Sequence, residues 1–348
     1  MATMAPPAVT VAIPVYNSAA TLERCIRSAM SQTLEDIEIL VADDCSTDDG
    51  AALAHGLAAQ DPRVTVIAIS PNQGKPHAMN RMAAVARGTW LAVLDADDAF
   101  HPERLERLVA AGEAAGVEMA ADNLVYVDGG VDMVVRTAFD QDAPHRLVLK
   151  ADLLSHSNSY AEFDFGILKP IMRLDFLRQH GLTYYEHTRL AEDFYYLLGF
   201  FVAGGRGVLL AAPLYYWTMP FGAISRLWTE TGSGAWRYDY RQALAANTHF
   251  IGVMAEKGEA DVVAMLQARS RQYRAMVHYL DAQRQASEGA WVLSFTTIAL
   301  HPSSYGLLLR RIIGRIGRGL ARPQATSQLL PTHPSLRGHA PAKIGAGP

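Results

Sequence analysis

Three aspartates, Asp95, Asp97 and Asp98, fall within four residues, and such crowding asks for a cation. Carboxylates so close repel one another, and hard divalent ions such as Mg2+ or Mn2+ take carboxylate oxygens. A helix cap at Pro102 would need one of them, not three. Asp95, Asp97 and Asp98 together are therefore an expected cation site, in what reads as a surface loop. A second acidic run, Asp43-Asp44-Cys45-Ser46-Thr47-Asp48, carries more polar groups than a turn requires. Ser46, Thr47 and Asp48 suffice for capping, which leaves Asp43 to accept bonds from a nucleobase or ribose. In Asn72-Gln73-Gly74-Lys75 a lysine follows a glycine, an arrangement suited to phosphate beside a metal. Glu192-Asp193 opens a helical pattern. First-turn acids are favoured by the helix dipole, and a carboxylate there can also take a proton from a hydroxyl.

The elements that must hold these groups alternate. Val9–Val15, Ile37–Ala42, Val64–Ile69 and Trp90–Leu94 are short apolar runs rich in β-branched residues. Between and after them, residues 19–32, 50–60, 76–86 and 102–115 repeat at helical spacing, the last with proline at its start, where proline is tolerated. Strands alternating with helices of this length predict βαβ units, a mainly parallel sheet flanked by helices, and ligands at the carboxyl ends of the strands. Each acidic or glycine-containing loop follows a strand, so all face one edge, together with Pro14-Val15-Tyr16-Asn17 after the first. Past Glu118 the pattern loosens: strands are expected over 119–127 and 207–217, a Gly129-Gly130 turn, a helix over 191–203, and a long helical stretch over 235–286. The expected organisation is a catalytic domain over 1–230, a helical C-terminal extension over 231–322, and a disordered tail over 323–348, which is rich in Pro, Gly, Ser and His.

Half of the 348 residues are apolar and 19% are charged, as in a soluble globular protein. From His301 onward there are seven basic residues and no acidic one, so the net charge of −4 divides into +7 on the tail and −11 on the body. The body does not invite nucleic acid. Two cysteines make no disulfide framework. Met1–Pro7 has neither basic residue nor apolar stretch, no run reaches the ~18 apolar residues of a membrane span, and a cytoplasmic protein is expected.

The loops in this order resemble glycosyltransferase family 2, inverting enzymes of the GT-A fold. The resemblance runs from Val9 to about Arg226. It rests on Pro14-Val15-Tyr16-Asn17, Asp43 to Asp48, Asn72 to Gly74, Leu94-Asp95-Ala96-Asp97-Asp98 with Pro102-x-Arg104-Leu105, Glu192-Asp193, and Tyr215-Tyr216 before Gly222-x-x-Ser225. It implies that Asp43 binds uracil or ribose, with Pro14, Tyr16 and Asn17 around the base. Asp44, Asn72, Gly74, Lys75 and Asp95 would line the donor, Asp97 would contact ribose or diphosphate, Asp98 would hold Mg2+ or Mn2+, and Asp193, beside Glu192, would be the general base. The stretch Phe165-Gly166-x-x-Lys169-Pro170, with Ala121-Asp122-Asn123 and Ala191-Glu192-Asp193, is similar to bacterial exopolysaccharide glucosyltransferases of the succinoglycan type. That implies glucose from UDP-glucose passed to a saccharide acceptor carried on lipid. Asp122, Lys169, Tyr216 and Trp217 are candidate acceptor contacts, and Asp122 is the alternative base. Two features depart from the family. Its Ala-Arg-Asn reads Ala78-Met79-Asn80 here, so Lys75 or Arg81 must stand in for the arginine, and the Gln-x-x-Arg-Trp of processive synthases is missing, which points to one sugar per encounter.

A sugar nucleotidyltransferase of the same fold class would open on a glycine-rich loop after the first strand, which Pro14 to Asn17 is not. A non-catalytic sugar-binding scaffold would have no need of intact Asp97, Asp98 and Asp193, and a dehydrogenase would show Gly-x-Gly-x-x-Gly after a strand. In the tail, Leu309, Ile312, Ile313, Ile316 and Leu320 would share one face of a helix opposite Arg311, Arg315, Arg318 and Arg322, as in a helix lying peripherally on an anionic membrane.

Overall fold

A computed structural model describes residues 5–128, 133–139, 145–156, 165–219 and 240–306. The opening half follows the alternation expected of it: β1 (Val9–Val15), α1 (Ala19–Met30), β2 (Ile37–Asp44), α2 (Gly50–Ala58), β3 (Val64–Ile69), α3 (Lys75–Val85) and β4 (Trp90–Val93). The two-residue β5 (Ala99–Phe100), α4 (Arg104–Ala115) and β6 (Met119–Asp128) come next. Then come β7 (Met133–Thr137), β8 (Arg146–Val148), α5 (Lys150–His156), β9 (Ile171–Arg173), α6 (Leu174–Gln179), α7 (Glu192–Val202) and β10 (Gly207–Met219). Three helices close the described chain: α8 (Tyr240–Glu256), α9 (Ala260–Ser287) and α10 (Trp291–Leu300).

The strands form one ten-stranded sheet in the order β3-β2-β1-β4-β9-β6-β10-β5, with β7 on β6 and β8 on β10. β3, β2, β1 and β4 run parallel, as do β6 and β10, while β9 lies antiparallel between β4 and β6. Register brings the carboxyl ends level: Val15 pairs with Asp43, and Asp44 with Ile69. β1, β2 and β4 are buried on both faces, hence their largely apolar runs, while the edge strand β3 exposes Thr65 and Ala68. Leu22, Cys25 and Ile26 of α1 and Leu105 and Leu108 of α4 cover one face against Val11 and Ile13. Met79 and Met82 of α3, Leu197 and Leu198 of α7, and Met254 and Leu266 of α8 and α9 cover the other against Ala12.

The long helical stretch is thus two helices, divided at Gly258, whose φ of 75° is left-handed backbone that favours glycine. Both pack on α7. Tyr195 donates to Asn247 Oδ1 at 2.7 Å, and the Arg269 guanidinium lies 3.9 Å over Phe194. The expected division at residue 230, the Gly129-Gly130 turn, Gly222, Ser225, the amphipathic segment beyond Gly306 and the tail from Pro323 lie outside the described residues.

Candidate active site

The carboxyl edge of the sheet carries a dense charge cluster. Lys75, first residue of α3, sets its Nζ 2.9 Å from Asp95 Oδ1, 2.9 Å from Asp193 Oδ2 and 3.5 Å from Glu192 Oε1. Lys169, in the loop leading into β9, is buried and reaches the same two aspartates, at 2.7 Å to Asp95 Oδ2 and 2.5 Å to Asp193 Oδ2. Tyr184 donates its hydroxyl to Asp193 Oδ1 at 3.1 Å. Two ammonium groups therefore join the aspartate just past β4 to the aspartate in the first turn of α7. Burial raises the Asp193 carboxyl, but the Lys169 and Lys75 ammoniums outweigh it and hold the group below its ordinary value. The same balance holds Asp95 down, and burial opposed by Asp193 and Asp95 leaves both lysines raised.

The neighbouring aspartates differ. Asp98 is fully buried, with Oδ2 accepting from the Tyr215 hydroxyl at 2.7 Å and Oδ1 from the Thr218 N–H at 2.8 Å. Burial, then the charges of Asp97 and Asp95, push its carboxyl well up. Asp97 is half-buried, and burial followed by the Asp95 charge pushes it up to about 6. Its backbone carbonyl accepts from Arg24, which also bonds Thr218. Mg2+ takes one or two carboxylates plus substrate phosphates. Asp97 fits that pattern, although no set of three or more potential ligands converges among the described residues. Asp98, expected from sequence to be the principal ligand in a surface loop, is instead committed inward on Tyr215 and Thr218. One further carboxylate stands ready at this edge: Asp43 is buried, and its Oδ1 has no hydrogen-bond partner among the described residues.

The comparisons with known proteins accord with this geometry. The Glycosyl transferase family 2 model matches residues 10–160. The succinoglycan biosynthesis protein ExoO of Rhizobium meliloti (strain 1021) is 34% identical over 319 residues, which cover 91% of this chain and 88% of that protein. The chain belongs to glycosyltransferase family 2. ExoU of the same organism, also named for succinoglycan biosynthesis, is 35% identical over 198 residues, 56% of this chain and 57% of its own. Among solved structures, S. aureus TarS 1-349 in complex with UDP-GlcNAc superposes with a TM-score of 0.55 at 18% identity, over 80% of this chain and 92% of that one. The fold is GT-A, and the chain is a glycosyltransferase, which sets aside the nucleotidyltransferase and scaffold alternatives.

In this glycosyltransferase the expected donor loops meet but divide their labour. Asn17 Oδ1 accepts from Thr47 N–H at 2.8 Å, and Asn17 N–H donates to Ser46 at 3.0 Å, clamping two strand ends together. Tyr16 stands 43% exposed at the rim beside Pro14. Asp44 accepts from the N–H groups of Gln73 at 2.8 Å and Gly74 at 2.6 Å, and Asn72 donates to its carbonyl, so Asp44 and Asn72 shape the glycine loop. Gly74 has φ 91°, and Arg189 lies against it. Asp48 accepts from Ala19 and Gly50, the first residues of α1 and α2. Among the described residues, the non-glycine positions with left-handed backbone, Asn17, Cys45 and Ala191, all flank this edge, as strained residues at functional sites do.

The acceptor candidates fare unevenly. Lys169 joins the cluster. Asp122 is instead spent on the buried Arg104, which bonds both its oxygens and stacks 4.2 Å over Phe100, so it cannot serve as the alternative base. Tyr216 is buried beside His101, and Trp217 packs edge-on against Tyr126 at 5.0 Å. Where the family places arginine, Met79 is buried in the core and Arg81 is exposed, so of the two stand-ins Lys75 is the one that faces the site. Tyr184, Tyr215 and Arg24 were not foreseen in their roles. Tyr184 is nine residues from the aspartate it touches, and Arg24 is 73 from Asp97, separations that local pattern does not bridge.

Proposed function

We propose that this enzyme transfers a hexosyl group from a nucleoside diphosphate sugar to a saccharide hydroxyl, with inversion and one sugar per encounter. UDP-glucose is the first donor to test, and a saccharide on a lipid carrier in exopolysaccharide assembly is the acceptor class. The named roles of ExoO and ExoU support that pathway. The observation that carries the reading is the bridge of Lys75 and Lys169 between Asp95 and Asp193.

Asp43, with an unpartnered buried oxygen, accepts from the base or ribose. Asp97 is the side chain that would hold a divalent cation, with Asp98 behind it fixing the loop. When bound, that ion supplies charge neutralisation at the leaving diphosphate. Lys75 and Lys169 face the same diphosphate. An ammonium that turns toward phosphate releases Asp193, whose carboxylate then becomes more basic and accepts the proton of the acceptor hydroxyl. Donor binding thereby readies the base, and transfer does not begin before the leaving group is held. Tyr184 keeps Asp193 oriented throughout.

The test is nucleotide release by the purified protein with a panel of UDP-, GDP- and TDP-sugars, with Mn2+ or with excess EDTA. One donor should turn over, only with metal, and Asp193→Asn should lose about 10²–10⁴ of the transfer rate while keeping donor affinity. Full turnover in EDTA, or a wild-type rate in Asp193→Asn, overturns the assignment.

A further inference from the structure

α10 is built inside out. Its polar residues Ser294 and Thr297 turn toward the body, with Thr297 donating to Gln285 Oε1 at 2.9 Å, while its large apolar side chains, Ile298 apart, stand in water. Trp291 is 69% exposed, Val292 81%, Phe295 75% and Leu300 75%. At 100° per residue Trp291, Phe295, Ala299 and Val292 form one stripe about 100° wide. The helix is fastened at its end, where the His301 ring stacks 3.5 Å from that of His278 on α9, and Tyr305 donates to the Ala299 carbonyl at 3.0 Å. Its apolar face is thus held outward by contacts on the opposite side. Apart from His301, no charged or titratable acid or base other than Tyr305 occurs between Glu288 and Arg310, and from Arg310 on all seven charged residues are basic.

We propose that α10 is a membrane-surface helix, lying along an anionic bilayer with its Trp291–Phe295 stripe among the lipid chains. Ten residues of helix extend about 15 Å, half of a bilayer's ~30 Å core, so α10 lies in the interface and does not cross. No helix among the described residues is long and apolar enough to cross a membrane. Tryptophan favours that interface. A second copy of the chain fits less well, because a stable protein interface takes about 20–30 residues a side, and this stripe has four side chains. A bilayer accepts isolated apolar side chains without shape complementarity, and the one-signed charge that follows matches an anionic leaflet. This deepens the lipid-carrier reading by supplying the surface on which the enzyme would meet its acceptor. Vesicle binding needs neither donor nor acceptor, so the two stand or fall separately.

The experiment is flotation of the full-length protein with vesicles of equimolar phosphatidylcholine and phosphatidylglycerol, and with phosphatidylcholine alone. Wild type should float with the anionic vesicles at low salt, less with the neutral ones, and less as salt rises. Trp291→Asp/Phe295→Asp should lower the partition at least about tenfold, since each side chain gives up apolar burial in lipid. Val292→Glu, at the most exposed position of the stripe, should act in the same direction. All variants should melt with the wild type. Wild type remaining in solution at low salt, or both α10 variants floating undiminished, overturns the proposal. So does binding lost in Arg310→Glu/Arg311→Glu but untouched by the α10 variants, which would assign the contact to the tail alone. A dimer that Trp291→Asp/Phe295→Asp dissociates while vesicle binding persists would assign the stripe to a second copy.

Discussion

Replacing Lys169 by methionine removes one of the two cations that join Asp95 to Asp193 and leaves the other. The two ion pairs it breaks are 2.7 Å and 2.5 Å long. At an effective dielectric constant of about 20 each is worth about 6 kcal/mol of Coulomb energy, most of it offset by desolvation. Breaking a buried pair by removing one partner costs about 3–5 kcal/mol. Lys75 still faces both carboxylates, which favours the lower end, about 3 kcal/mol. At about 2 °C per kcal/mol for a chain of this size, melting should fall by about 6 °C near neutral pH. The dependence on pH distinguishes this from a packing loss. Asp95 and Asp193 lie below their unfolded values, so the stability they add is present above about pH 4 and lost as pH falls through the folded values. Lys169 lies above its unfolded value, so its share is present below about pH 10 and lost as pH rises through the folded value. The gap between wild type and Lys169→Met, followed by calorimetry across pH, should be widest between those limits and close on acidification. An unchanged melting temperature at neutral pH, or a gap that widens in acid, would refute the bridge.

Asp98→Ala should strip partners from the buried Tyr215 hydroxyl and Thr218 N–H, at about 1–3 kcal/mol each, and lower the melting temperature by roughly 4–12 °C; melting like wild type would return Asp98 to the surface. Asp97→Asn should behave oppositely. Its carboxyl titrates at about 6, so its charge weighs against the fold above that pH. The asparagine variant should therefore melt at or above wild type at neutral pH in EDTA, yet show none of the wild-type rise on adding Mn2+. Asp43→Ala should weaken nucleotide binding about 10–100-fold by calorimetry, the worth of a hydrogen bond to a charged group, with little change in melting.

Much of this site was legible because it lies on consecutive βα units. Once Val9–Val15, Ile37–Asp44, Val64–Ile69 and Trp90–Val93 are read as parallel strands, their trailing loops must share an edge, and Asp43, Lys75, Asp95 and Asp97 fall together. The family pattern added Asp193 from far along the chain. Sequence said less where partners come from distant elements. Whether Asp98 or Asp97 faces outward depends on Tyr215 and Thr218 of β10, 117 and 120 residues on. Asp122 looks catalytic in sequence, and only the placement of Arg104 beside it shows that its charge is already matched. The three-residue strands β8 and β9 are too short for periodicity to declare. β9 is nonetheless what carries Lys169 to the site, by inserting between β4 and β6. The residues of α10 are mostly apolar in sequence, but which face they turn to water is set by its contacts with α9.

A direct displacement in which Asp193 takes the acceptor's proton fixes the stereochemistry of the bond it makes. The anomeric configuration of the product can be read by NMR as it forms from the donor that the nucleotide-release panel selects. From an α-linked nucleotide sugar the product should be β-linked, formed by wild type and not by Asp193→Asn. An α-linked product would contradict the displacement.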